Sequence, residues 1–170
     1  MTLVARLVTR FAALEDDLNG LDAVAGDGDH GSTMLRGLRA AATGPDPVTA
    51  FRTAAGGASG SLFAQVLAAL LAAEDGTRLP EALTKAATRI GAIGQAKPGD
   101  RTMLDALIPA SLAADAPAAA QAARQGAEAT RTMPARRGRA KHVEGAGLGH
   151  MDAGARSVAE MLAVLAGEAP

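Results

Sequence analysis

The chain has 170 residues, the length of one domain, and 48% of them are hydrophobic, enough for a substantial core and too many for a disordered composition. With no cysteine there is neither a disulfide framework nor a thiolate metal site. Its 17 basic and 18 acidic residues leave a formal net charge of -1, and it has three Phe and no Trp or Tyr. That balance excludes a whole-surface pull on nucleic acid or anionic membrane, and base-stacking platforms as well.

The composition is rich in alanine and poor in β-branched and aromatic residues, which favours helix over strand. Eight helices are expected in a single domain spanning residues 1–170. Leu3, Leu7, Phe11, Leu14 and Leu18 recur at three- and four-residue spacing and predict a first helix from about Leu3 to Leu18, stopped by Asn19-Gly20. After a Gly- and Asp-rich segment, a second helix is expected over about Ser32 to Ala42. Asp46-Pro47 is an N-cap followed by proline at the first helical position, and it starts a third helix that ends at Gly56-Gly57. Ser59 is the expected cap of a fourth, reaching Ala73; Pro80 opens a fifth that ends near Ile93. Thr102 to Ala113 forms a sixth. Asp115 or Ala116, then Pro117, starts a seventh that reaches about Met133, and Gly154 to Ala166 forms the eighth.

Arg6 and Arg10 interrupt any signal-like apolar stretch at the start. The longest apolar run, Leu62 to Ala73 with Gln65 inside it, is too short to cross a bilayer. The expectation is a cytoplasmic protein with no membrane and no nucleic-acid partner. Between the last two helices, Pro134 to Ala153 has five glycines or prolines and no clear period. A structureless stretch of this length inside a compact domain is usually functional or mobile.

Four segments carry chemistry. In Leu21-Asp22-Ala23-Val24-Ala25-Gly26-Asp27-Gly28-Asp29-His30-Gly31, three carboxylates fall within eight residues, among glycines that let the backbone fold tightly. Oxygen ligands of this kind suit a hard cation such as magnesium, which would relieve the repulsion among converging acids. The plain alternative is a solvated loop in which Asp29 only caps the next helix. A calcium loop of the EF-hand type fails on spacing, because Ser32 stands where the turn glycine belongs and Leu38 where the bidentate acid belongs. The second segment, Gly56-Gly57-Ala58-Ser59-Gly60-Ser61, precedes a helix whose free N–H groups suit phosphate oxygens, although such residues also merely end one helix and cap another. The third is Gly94-Gln95-Ala96-Lys97-Pro98-Gly99-Asp100-Arg101-Thr102-Met103; there Thr102 or Asp100 can cap a helix, and a Met such as Met103 is more often core than ligand contact. In the fourth, Arg131, Arg136, Arg137, Arg139 and Lys141 concentrate positive charge before Gly149-His150-Met151-Asp152-Ala153-Gly154. Arg139 can neutralise a phosphate there, or simply be solvated. Acids for a metal, a helix N-terminus for phosphate and a basic loop together suit phosphoryl transfer, which depends mainly on positioning and charge neutralisation.

Taken in order, LDAVAGDGDHGSTMLRG, GGASGSLF, GQAKPGDRTMLDAL and GRAKHVEGAGLGHMDAGA resemble the nucleotide-binding L subunit of dihydroxyacetone kinases, over Leu21 to Ala155. The resemblance implies an all-α fold, eight antiparallel helices in a barrel-like bundle, with ADP or ATP held in the loops at one end. It implies two Mg2+ ions on Asp22, Asp27 and Asp29, with phosphate contacts from His30, Gly31, Ser32 and Thr33 and from Ala58 and Ser59. Gly94 and Met103 would line the adenine pocket, Arg139 would reach the phosphates, and Asp152 and Gly154 would lie near ribose or adenine. His142 stands where the family has an aromatic residue and Ala153 where it has a proline, so the long loop is where the match is weakest.

The resemblance further implies a partner. A separate K subunit would bind dihydroxyacetone covalently through a histidine, and this chain, inactive alone, would deliver the phosphoryl group. ADP would be rephosphorylated by a phosphotransferase-system subunit fed by phosphoenolpyruvate, or ATP would exchange freely; a stand-alone subunit leans to the former. The rival readings are the related nucleotide domain of fatty-acid or other polyol and ketose kinases, and a regulatory module that binds a transcriptional regulator.

Overall fold

The computed structural model describes residues 1–168 apart from 138, 143, 144 and 146, and the side chains of Arg139 and Ala140 also lie outside the described part. Among the described residues there are eight α-helices, two short 3-10 turns and no strand. The helices are α1 (Leu3–Ala23), α2 (His30–Thr43), α3 (Pro47–Ala55), α4 (Gly57–Glu74), α5 (Leu79–Gly94), α6 (Leu104–Ser111), α7 (Ala116–Ala129) and α8 (Ala153–Leu165). The 3-10 turns, Thr130–Thr132 and Arg139–His142, lie between α7 and α8. The all-α expectation holds.

Each helix packs on its neighbour in sequence, and α8 returns to α1 and closes the ring. The apolar stripe of α1 (Leu3, Leu7, Phe11 and Leu18) faces inward as its spacing predicts and meets Met34, Leu35 and Leu38 of α2 in one continuous core. The connections that leave α1, α3, α5 and α7 all contribute to a single cavity at one end of the ring. Every second connection returns to the same end in an up-and-down bundle.

Cap chemistry decides several helix starts. Asp46 accepts from the N–H groups of Val48 and Thr49, Asp115 from Ala118 and Asp152 from Ala155. Several expected boundaries are corrected, among them the sixth helix, which is shorter at both ends than the expected Thr102 to Ala113. The first helix does not stop at Asn19-Gly20 but runs to Ala23, because the Asn19 amide is used across the interface, accepting from Ser32 N and donating to Ser32 Oγ. Ser59 does not cap the fourth helix: that helix begins at Gly57, behind Gly56 at φ 70°, a left-handed conformation that favours glycine. By length and by its mean hydropathy of 1.3, α4 is apolar enough to cross a membrane. Here it is a core helix, with Phe63, Ala64, Val66, Leu67 and Leu70 buried between α3 and α5. The seventh helix continues only to Ala129 as α-helix and then tightens into 3-10 geometry.

Candidate nucleotide and metal site

Asp22 occupies the last turn of α1, so the helix that outran its expected stop carries the first acid of the loop. Its Oδ2 accepts from the N–H groups of Gly28 (2.9 Å) and Asp29 (3.1 Å), and its carbonyl accepts from Ala25 and Gly26. The loop is thereby folded back over the helix end. A Cβ on Gly26 would stand 2.5 Å from Asp22 Oδ1 and displace that carboxylate, and Gly28 sits at φ 78°, a left-handed conformation that favours glycine. In this fold Asp22, Asp27 and Asp29 each offer a carboxylate oxygen within 4.8 Å of the others, with Asp27 and Asp29 exposed. Such convergence of hard oxygen donors fits a divalent cation better than it fits three unrelated surface acids.

His30 opens α2 beside this cluster. Its Nε2 lies 2.8 Å from Ser157 Oγ on α8, and its ring packs against Phe63 with centroids 5.5 Å apart. Burial lowers its pKa to about 4, against the pull of the Asp22 carboxylate in the other direction, so the imidazole is neutral at pH 7. Thr33 follows one turn on. Its Oγ1 accepts from Arg36, whose guanidinium also donates to the carbonyls of Ala54 and Ala55 and so braces the end of α3 against α2. Directly beyond that brace α4 begins. Neither α2 nor α4 has a side-chain cap, whereas α3, α7 and α8 do, so the first N–H groups of α4 face the cavity without a side-chain acceptor.

The cavity has a volume of about 550 Å³. It is lined by the three aspartates, by His30 and Thr33, by the α4 start (Gly57, Ala58, Ser59), by the apolar or small residues Leu62, Phe63, Ile90, Gly94 and Met103, and by Asp152 and Gly154. Burial raises the Asp152 carboxyl to about 6, opposed by the N–H of Ala155 and the charge of Arg101. The lining therefore combines carboxylates, the start of an uncapped helix, and apolar and small residues, an inventory suited to a polyphosphate joined to a flat base.

Eleven of the expected site residues line this one cavity: Asp22, Asp27, Asp29, His30, Thr33, Ala58, Ser59, Gly94, Met103, Asp152 and Gly154. Gly31 and Ser32 do not. Gly31 is buried against α1, where a Cβ would stand 2.2 Å from the Glu15 carbonyl oxygen. Ser32 donates its hydroxyl to Glu15 Oε1 at 2.7 Å, and its N–H goes to Asn19. The Arg139 side chain lies outside the described residues. Sequence reasoning gave no role to Arg36, Arg101 or Ser157, while Arg137, named only as part of a basic cluster, lines the cavity. Ser157 is a polar residue on the apolar stripe of α8, and that misplacement was the one signal available for it.

Residues 24–167 match the family model described as the DAK2 domain. The chain belongs to the DAK2 domain family. The DAK2 match extends from Val24 in the aspartate-rich loop through α8, and so takes in the last three motifs and all of the first but Leu21, Asp22 and Ala23. The chain is 30% identical over 190 residues to the ADP-binding subunit DhaL of the PEP-dependent dihydroxyacetone kinase of Escherichia coli, covering 92% of this chain and 89% of that one. It is 36% identical over 179 residues to an L-erythrulose kinase of Pectobacterium atrosepticum, with 86% of this chain and 30% of the relative aligned. The rat triokinase/FMN cyclase is also 36% identical, covering 94% of this chain and 33% of the relative. This chain thus spans about a third of the length of those two relatives. A solved structure of the dihydroxyacetone kinase from C. freundii in complex with AMP-PNP and Mg2+ superposes with a TM-score of 0.70 at 30% identity, over 97% of this chain and 33% of that one.

Proposed function

We propose that this DAK2 chain is the nucleotide-binding unit of a dihydroxyacetone-type kinase, holding ADP or ATP through magnesium on Asp22, Asp27 and Asp29. The observation that carries this reading is the convergence of three carboxylates, an uncapped helix start and apolar residues in the lining of one cavity. The neighbour solved with AMP-PNP and Mg2+ and the relative named as an ADP-binding subunit support it. Two magnesium ions are proposed, since three carboxylates against a polyphosphate leave more negative charge than one ion neutralises. Magnesium supplies charge neutralisation of the phosphate oxygens.

The chain's own groups divide the remaining work. The N–H groups at Ala58 and Ser59 donate to phosphate oxygens, and neutral His30 with Thr33 borders the same region. Gly94 and Met103 receive the base, and Asp152 with Gly154 faces the ribose or base. Arg139 approaches the phosphates from the loop between α7 and α8.

The acceptor is proposed to be dihydroxyacetone, or a related C3 or C4 ketose as the erythrulose and triose kinases among the relatives suggest, held on a partner K subunit. The E. coli relative, named as the ADP-binding subunit of a PEP-dependent kinase, supports a partner unit and rephosphorylation of bound ADP by a phosphoenolpyruvate-fed donor. The deciding experiment is calorimetric titration of ADP into nucleotide-free protein with and without magnesium. Magnesium-dependent binding that is lost in Asp27→Ala/Asp29→Ala is expected. Binding indifferent to both would end this assignment. Turnover of dihydroxyacetone by the chain alone would end the partner requirement.

A further inference from the structure

The connection between α5 and α6 places two oppositely charged residues side by side, and both are buried: Asp100 is 2% exposed and Arg101 5%. They face different stretches of the same long loop. The Asp100 carbonyl accepts from Arg136 N (3.1 Å), and its carboxylate accepts from Arg137 Nε at 3.1 Å and from Lys97 N. Arg101 Nη2 donates to the carbonyls of Gly147 (2.9 Å) and His150 (3.0 Å). The first residue thus holds the loop where it leaves α7, and the second holds it where it approaches α8.

The surroundings are built around the guanidinium. Arg101 takes φ 60°, a left-handed conformation rare for a residue with a side chain. Strain retained at a cavity wall points to a functional demand on where that side chain goes. A Cβ on Gly147 would stand 2.2 Å from Arg101 Nη2, so only glycine lets the loop backbone close onto the arginine. Both Arg101 and Arg137 line the cavity, and Asp152, immediately after the clasped segment, feels the Arg101 charge.

We propose that Asp100 and Arg101 form a two-sided clasp that holds Arg136–Arg137 and Gly147–His150, the two described stretches flanking the cavity residues Arg137 and Asp152, in place, making both of them positioning residues for nucleotide binding. This rests on the nucleotide reading above. It adds to that reading a device in the α5–α6 connection on which the placement of Arg137 and of Asp152 depends.

The test is hydrogen–deuterium exchange of the nucleotide-free protein, read by segment, together with Mg-ADP affinity. The variants are Asp100→Asn, Arg101→Gln, Arg101→Lys and Gly147→Ala; the last leaves the charge in place but both crowds the guanidinium and strains its own backbone at φ 80°, so Arg101→Gln is the deciding variant. Arg101→Gln and Gly147→Ala are expected to speed exchange in residues 147–152 by about tenfold or more, with α1 and α4 unchanged. Asp100→Asn is expected to act chiefly on residues 135–137. Mg-ADP affinity falls about tenfold in Arg101→Gln, and Arg101→Lys recovers part of both effects because an ammonium still donates to carbonyls. Unchanged exchange in the loop overturns the clasp, as does a uniform rise through all helices in both Arg101→Gln and Gly147→Ala. A loosened loop with native Mg-ADP affinity overturns the positioning role. Failure of the native protein to bind Mg-ADP would sink the nucleotide reading by itself, while the exchange data still decide the clasp.

Discussion

His30 and Ser157 meet across the ring, Nε2 to Oγ at 2.8 Å, and join the start of α2 to the middle of α8 beside the aspartate cluster. Because the histidine is neutral at pH 7 and buried, one ring nitrogen is committed to Ser157. Ser157→Ala leaves that nitrogen buried without its partner. The expected cost is about 1–3 kcal/mol of stability, the penalty of an unsatisfied buried polar group, measured by urea denaturation. A change no larger than that of an exposed Ser→Ala substitution would show that the contact is dispensable.

Asp152 gives the protein a pH dependence of known sign. Its carboxyl is raised from 3.8 to about 6 in the folded state. Between those values the folded protein keeps a proton that the unfolded chain has released, so this group's contribution is fully present below pH 3.8 and is lost as pH rises through about 6. Asparagine caps a helix as well as aspartate does. Asp152→Asn therefore keeps the cap on α8 but removes the slope, and its Tm should gain on the native protein as pH is raised from 4 to 7. Parallel Tm curves over that interval would contradict the assignment.

Two glycines of the first two helices predict opposite outcomes for one substitution. Gly31→Ala drives a methyl group into the Glu15 carbonyl, and prising α1 from α2 should cost about 1–3 kcal/mol. Gly20 is exposed inside α1, with nothing within 4 Å of a Cβ. Gly20→Ala should stabilise by about 0.5–1 kcal/mol through helix propensity alone. Urea midpoints of the two variants should move in opposite directions.

The aspartate cluster should reveal a cation without any assay of turnover. In metal-free buffer Asp29→Asn removes one of three mutually repelling charges and should be neutral or slightly stabilising. In the native protein, magnesium at a hundred times its Kd adds about 2.7 kcal/mol, a gain that Asp29→Asn should largely lose. Scanning calorimetry with and without magnesium gives both comparisons. A magnesium-induced rise in Tm as large in the variant as in the native protein would exclude Asp29 as a ligand.

Local chemistry was readable in the sequence, and chemistry that depends on distant partners was not. Asp46-Pro47 and Asp115 start helices as expected because a cap bond closes within three residues. Asn19-Gly20 misled because the Asn19 side chain is spent on Ser32, thirteen residues away on another helix. The three aspartates stood out through their spacing. Ser157 did not, since its partner is 127 residues distant. Arg101 lay inside a recognised motif, yet nothing in the string of letters said that its guanidinium would be buried under the carbonyls of Gly147 and His150. Ser32, by contrast, was expected among the phosphate contacts, but helical geometry turns its hydroxyl toward Glu15 of α1 and away from the cavity.

The extension of α1 to Ala23 has a thermodynamic consequence for ion capture. One carboxylate is mounted on a rigid helix, while its partners ride on a short loop already fastened to it through the Gly28 and Asp29 N–H groups. Much of the ordering that a cation would otherwise have to impose is done during folding. Adding residues between Asp22 and Asp27 should therefore weaken the site through entropy, even with all three aspartates in place.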